Sequence, residues 1–267
     1  MTHETVFAAW LAQQQARADS PPESPREALW LDAAGAQVGS IEPGLAQRLV
    51  AASLPLQHSP QGWCVTGPAD AALAQIARWM HTNGLGGRWR DELLAVTDAQ
   101  GQVRGCIERA AIRPLGITSF AVHLVAHAEH GGTWVQQRAL DKATDPGLWD
   151  TAMGGLVAGG ESVTQALERE TWEEAGLRLA ELHGVAARGR ITIRRPVDAH
   201  GYMVEHIDVF EATVPAGRVP VNQDGEVERF ECVGRAALVE RLHAGAFTLE
   251  AAMILAAWLG RCGRDTL

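Results

Sequence analysis

Two spacings of apolar residues divide the chain. Short runs repeat every second position and longer runs every third or fourth, the periods of half-buried strands and of one-faced helices. Residues 4–18 read as a helix with Phe7, Trp10 and Leu11 on one face, and the prolines at 21, 22 and 25 end it. Residues 28–32 and 37–41 read as short strands joined at Ala34-Gly35, and Pro43 suits the first turn of a helix reaching about residue 52. A helix over 69–81 sets Leu73, Ile76, Ala77 and Met80 at core spacing, and 92–97 with 102–108 read as a hairpin. Beyond Arg113-Pro114 the runs lengthen. Strands are expected at 117–128, 133–138, 185–195 and 202–213, and closing helices at 234–243 and 248–260. Five of the nine tryptophans fall before residue 90; Trp63 and Trp89, in loop-like surroundings, are the candidates for stacking on an aromatic ligand, against a plain packing role.

One helical run carries chemistry. In residues 155–177, GLVAGGESVTQALERETWEEAGL, Glu170, Glu173 and Glu174 share a face, while Val163, Ala166, Leu167 and Thr171 form a second face that can pack on a sheet. Three carboxylates on one face repel one another unless a cation sits among them. Hard divalent cations such as magnesium take oxygen ligands and leave room for water and substrate phosphates. A solvated acidic face is the plain alternative. Against it, the acids crowd the helix C-terminus, where the dipole disfavours negative charge, and Gly154, Gly155, Gly159 and Gly160 upstream permit close approach of a ligand.

The segment resembles the Nudix box through Gly155, Glu161, Arg169, Glu170, Glu173, Glu174, Gly176 and Leu177; Thr171 departs from it at an apolar position. Residues 137–160 (QRALDKATDPGLWDTAMGGLVAGG), through Arg138, Lys142, Pro146, Gly147 and Asp150, are similar to the lead-in of Nudix proteins that carry an extra N-terminal domain and relate to thiamine diphosphate metabolism, as is RPLGITSFAVHL at 113–124. The resemblance implies an α/β fold: a Nudix α/β/α sandwich with a mixed β-sheet at 113–267, preceded by a small α+β domain at 1–112. It also implies a magnesium-dependent hydrolase, with manganese as a substitute metal, that cleaves thiamine diphosphate or its oxo analogues to the monophosphate and phosphate. Glu170, Glu173 and Glu174 would hold metal, Arg169 would orient a carboxylate, and Glu161 would support the loop. Backbone N–H groups of Gly154 and Gly155, with Arg138, would meet the diphosphate. An acid in the loop at 222–228 is expected to join the site, Glu226 first and Glu228 second.

Arg188, Arg190, Arg194 and Arg195 concentrate charge after the box; Arg190 is the candidate phosphate ligand, with a solvated strand end as the alternative. His123 and His127 fall on one face of a strand and read as structural or rim residues. A chain of 267 residues suits two domains, or one with an extension, and 46% hydrophobic residues suit a full core. The formal charge of −9 opposes general nucleic-acid binding. Cys64, Cys106, Cys232 and Cys262 lack metal or disulfide spacing, which suits reduced thiols in the cytoplasm. No membrane span or signal-peptide start is read, and the partner expected is a small-molecule diphosphate, with oligomeric state left open. Three alternatives compete: a nucleotide, nucleotide-sugar or ADP-ribose pyrophosphatase; a diphosphate isomerase, whose chemistry resembles one using a cysteine where this chain has none between Cys106 and Cys232; and a non-catalytic ligand-binding regulator, against which all the box acids are kept.

Overall fold

The computed structural model describes residues 3–31, 35–197 and 201–262. The first helix, α1 (His3–Ala18), leads to β1 (Glu27–Leu31), β2 (Ala36–Ile41), α2 (Pro43–Ala51), β3 (Leu56–Ser59), β4 (Gly62–Val65) and α3 (Ala69–Thr82). The four strands form a sheet in the order β2-β1-β4-β3, antiparallel except for β1 beside β4. A hairpin, β5 (Leu93–Thr97) and β6 (Val103–Glu108), packs with α3 on the same core, which includes Leu29, Ile41, Leu49, Leu73, Ile76 and Ile107. The expected elements form here, and β3 and β4 are additional. Each spans only four residues, and β4 is buried throughout, so neither shows the alternation that marks a strand. Trp63 lies in β4 at 7% exposure with its ring edge-on to His58, which excludes it as a stacking platform. Trp89 packs on His81 and donates Nε1–H to Asp91. The expected turn residue Ala34 and strand end Asp32 lie outside the described residues.

The remaining strands are β7 (Thr118–Ala128), β8 (Thr133–Arg138), β9 (Trp149–Asp150), β10 (Met153–Leu156), β11 (His183–Pro196), β12 (Tyr202–Val214) and β13 (Val227–Val233). They build a mixed sheet in the order β11-β12-β7-β8-β13, with β12 and β7 parallel. Three helices complete it: α4 (Val163–Ala175), α5 (Arg235–His243) and α6 (Leu249–Cys262). Alternation along β7 sorts the layers. Val122, Leu124 and Ala126 face a core with Ala166, Leu167 and Ala175 of α4, while Ala121 and Val125 face a core with Leu238 and Leu242 of α5 and Ile254, Leu255 and Leu259 of α6. Phe7 and Trp10 of α1 pack against this second core, so the first helix lies on the layer formed by the last two. The α/β sandwich with a mixed sheet is thus as expected. Strand β13 is additional; a bulge between Val227 and Arg229 interrupts its period.

The sheet forks. Strands β7 and β8 pair only at Ala126–Trp134 and His127–Thr133. Beyond that point β10 takes the edge of β7, and β9 takes that of β8. Among the described residues no helix is long and apolar enough to cross a membrane.

Candidate active site

The box helix α4 starts at a capping box, in which Ser162 and Gln165 satisfy each other's backbone N–H groups, and ends at Gly176 with φ 61°. A Cβ on Gly176 would overlap the backbone carbonyl of Val221 at 2.6 Å and the side-chain amide of Gln223 at 2.7 Å, and the carbonyl cannot give way as a side-chain tip can. Thr171, fully buried at the apolar position, donates its hydroxyl to the Leu167 carbonyl at 2.5 Å, so its one polar group is satisfied within the helix.

Arg169 organises the acids. Its Nε and Nη2 donate to Glu161 at 2.9 and 2.8 Å, and Nη1 donates to Glu170 at 2.7 Å and Glu173 at 3.1 Å. A further bond from Nη2 reaches the Leu156 carbonyl at 3.0 Å. Its hydrogen bonds to Glu161 lead the causes that raise the guanidinium's own pKa, and they hold the Glu161 carboxyl below its usual range. Glu161 also accepts from the Ala158 N–H at 3.1 Å, so it pins the loop as expected.

The three box acids differ in setting. Glu174 is 1% exposed and accepts from Gln136 Nε2 at 2.8 Å and the Gly154 N–H at 3.0 Å; burial pushes its carboxyl up to about 8. Burial pushes Glu170 up to about 7, against the pull of Arg169. The Glu173 side chain is 43% exposed, pairs with Arg169 and lies off the cleft wall.

The fork between β9 and β10 holds a cleft of about 170 Å³. Glu170 and Glu174 reach it from α4, and Glu226 from the loop before β13. Lys142 Nζ stands between these acids, 2.5 Å from Glu226 and 3.7 Å from Glu174. Burial acts most strongly on the Glu226 carboxyl, to raise it, but the bond and charge of Lys142 together with the charges of Arg90 and Arg109 outweigh it and the net shift is downward. Glu228 lies in β13, exposed and away from the cleft.

At the other end of the cleft His123, Asp150, Glu205 and Glu250 gather with Arg195. Thr151 donates its hydroxyl to the Met153 carbonyl at 2.7 Å, so His123 Nδ1, 2.8 Å away, is the donor to Thr151 Oγ1. Burial lowers the His123 pKa and keeps the ring neutral. Glu250 is pushed up to about 7 by burial and then by the neighbouring Glu205. Arg195 Nη2 is 3.8 Å from Glu250, and its buried Nε has no hydrogen-bond partner among the described residues.

Arg190 and part of the glycine loop have other partners in the structure. Arg190 makes a two-bond pair with Asp208 at 3.0 and 2.7 Å and lines a separate hollow with Phe120 and His206. Its parity on the edge strand β11 turns it away from the cleft, whereas Arg195 reaches it. In the glycine loop several N–H groups are already engaged. Those of Gly154, Val157, Ala158 and Gly159 are taken by Glu174, Phe120, Glu161 and Leu93. Gly154 and Gly155 instead make room, since a Cβ on either would overlap the His123 ring or the Glu170 carboxylate respectively. Arg138 does line the cleft, bonded to the Thr144 carbonyl at 3.0 Å and to Asp150 at 3.4 Å. No local pattern singles out Arg90, Arg109, Arg113, Glu205 or Glu250, which chain folding brings to the same walls.

The donors suit a hard divalent cation. Two carboxylates whose pKa burial raises, despite Arg169 and Lys142 beside them, lie next to a third, and the buried Gln136 Oε1 has no partner among the described residues. As they stand, no three His, Cys, Asp or Glu side chains among the described residues converge on one point, and Lys142 and Arg169 pair with the carboxylates.

Residues 118–252, half the chain, match the family model described as the NUDIX domain. Nudix hydrolase 20, chloroplastic, of Arabidopsis thaliana is 30% identical over 166 residues, covering 61% of this chain and 44% of that protein. An isopentenyl-diphosphate Delta-isomerase of Streptomyces coelicolor is 32% identical over 151 residues, covering 56% of this chain and 74% of that one. The chain thus spans less than half the length of the plant relative. The crystal structure of DR0079 from Deinococcus radiodurans superposes with a TM-score of 0.50 at 21% identity, over 62% of this chain and 98% of that one, a likeness of fold. With its box arranged on α4 beside a forked mixed sheet, the chain belongs to the Nudix family.

Proposed function

We propose that the protein is a magnesium- or manganese-dependent pyrophosphohydrolase that cleaves thiamine diphosphate or its oxo analogues to the monophosphate and phosphate. In this reading residues 113–267 carry the chemistry and residues 1–112 contribute to recognition. The observation that carries it is the cleft's two-ended charge. One end has Glu170, Glu174 and Glu226 around Lys142, with Arg90 and Arg109 among the lining residues near Glu226, and suits a metal-bound diphosphate. The other has Glu205 and Glu250, whose mutual repulsion a cationic ring such as thiazolium would relieve.

Glu170 and Glu174 would hold the metal, joined by Glu173 on release from Arg169. Bound metal would neutralise phosphate charge and lower the pKa of a water molecule. Arg169 keeps the carboxylates in place by charge-assisted hydrogen bonds. Glu226 approaches from a different element than the box, so it can take a proton from an attacking water on the side away from the leaving group. Lys142, which lines the cleft beside these acids, would supply a counter-charge for phosphate.

The isomerase relative motivates a second reading. That chemistry resembles one with a cysteine at the site, and no cysteine is among the residues lining this cleft. The deciding experiment incubates the protein and magnesium with thiamine diphosphate, oxo-thiamine diphosphates, nucleoside triphosphates, ADP-ribose, nucleotide sugars and isopentenyl diphosphate, and identifies products. Turnover of another class without phosphate release from the thiamine diphosphates would refute the substrate assignment.

A further inference from the structure

Three arginines reach the cleft from the first half of the chain. Arg90 precedes β5, Arg109 follows β6, and Arg113 lies four residues on. Their backbone is held by specific bonds. The Glu108 carboxylate, 3% exposed, accepts the N–H of Arg90 at 2.9 Å and of Glu92 at 3.1 Å, with Asp91 between them at φ 56°. The Arg109 N–H donates to the Glu92 carbonyl at 2.9 Å. Two further bonds fasten this segment to the Nudix sheet and loop: Gly159 N–H to the Leu93 carbonyl at 2.7 Å, and Tyr202 N–H to the Arg113 carbonyl at 2.9 Å.

The side chains are less occupied than the backbone. Arg109 pairs with Glu92 at 2.8 Å. Among the described residues the guanidinium groups of Arg90 and Arg113 enter no hydrogen bond or ion pair. Both Arg90 and Arg109 are close enough to Glu226 to help depress its carboxyl. In a chain of formal charge −9, cations held by a buried carboxylate scaffold beside an acidic catalytic wall call for an anionic ligand.

Resting on the proposed function, we propose that Arg90, Arg109 and Arg113 form a diphosphate-binding site, carried by the first half of the chain, that faces the carboxylates of α4 across the cleft. Planar guanidinium forks match phosphate oxygens two at a time, and a site of this kind holds the group that the metal alone would leave free to rotate. These arginines are positioning residues for the phosphoryl group, and the first half of the chain is a wall of the active site.

The test is calorimetric binding of methylenediphosphonate, a diphosphate that cannot be hydrolysed at its bridge, in EDTA and again with magnesium. Arg90→Ala and Arg113→Ala are each expected to weaken binding about tenfold or more, the scale of a lost charge-assisted hydrogen bond. Arg90→Lys and Arg113→Lys should recover part of it. Thermal melts should stay near wild type, because the bonds that hold these segments are made by backbone atoms. No binding by the wild type, or the same dissociation constant in the alanine variants, overturns the site. Phosphate release is measured alongside. Turnover with unchanged probe binding in the variants overturns the arginine site alone. Lost probe binding in a protein that turns over no diphosphate overturns the proposed function alone and upholds the site.

Discussion

Gly155→Ala is the sharpest perturbation available. Gly155 sits in β10 opposite Val122, and its φ is not positive, so alanine is compatible with the backbone. Its Cβ, however, would overlap the Glu170 carboxyl carbon and oxygens. Glu170 must then leave its rotamer and its bond to Arg169, or β10 must shift from β7. Overpacking of this kind costs about 1–3 kcal/mol, and the smaller unfolded-state entropy of alanine returns about 0.4–1 kcal/mol. A net loss of roughly 1–2 kcal/mol lowers Tm by roughly 3–6 °C in a chain of this size. The assay is a thermal melt of a double-mutant cycle. In a Glu170→Ala background the obstructing carboxylate is gone, so the cost of Gly155→Ala should largely vanish. The same loss in both backgrounds, within about 0.5 kcal/mol, would refute the packing of Glu170 on Gly155.

Magnesium should raise the Tm of the wild type, since it binds the folded carboxylates and not the unfolded chain, and Glu174→Gln should abolish most of the rise; equal shifts in both would remove Glu174 from the metal site. Glu226→Gln should lower the maximal rate more than it weakens magnesium affinity, and Glu228→Gln, exposed on β13, should do less; a wild-type rate for Glu226→Gln at saturating magnesium would return the base to α4. Burial holds the Glu250 proton to about pH 7, whereas an ordinary glutamate releases it near 4.5. Between those values the folded state binds more protons than the unfolded one, so stability falls as pH rises, against Glu205 and Asp150 nearby and with Arg195 opposing. Glu250→Gln should remove that slope and gain up to about 3 kcal/mol over wild type above pH 7; urea midpoints with the same pH slope in both proteins would refute this.

The sheet strands β7, β11 and β12 and the helices α3, α4 and α6 were legible because each is long, 11 to 14 residues, so its pattern repeats often enough to be read. Strands β3, β4 and β13 were not, being four residues long or bulged. In the site, helical spacing put Glu170, Glu173 and Glu174 on one helix face, while the tie from Arg169 to a carboxylate came from the family resemblance. Spacing on a helix says which residues share a face but not how deep each lies, so the burial of Glu174 against the exposure of Glu173 was hidden. The choice between Arg190 and Arg195 turns on strand parity at a sheet edge, and Asp208 decides it from another strand. Arg90, Arg109 and Arg113 depend on where a distant hairpin docks, which no local pattern encodes.

The division of the sheet into two prongs has a consequence for how such a protein can diversify. A continuous sheet would be a partition, with each helix layer confined to its own side. Here the opening lets carboxylates rooted in α4 share one chamber with Glu250 of α6, and the two groups are anchored in separate cores. On the proposed reading, substitutions around Glu250 and Glu205 would retune which organic group is admitted while the packing behind Glu170 and Glu174 stays untouched. Selectivity and reactivity would then be separately adjustable, so a new preference could arise in one layer without first dismantling the other.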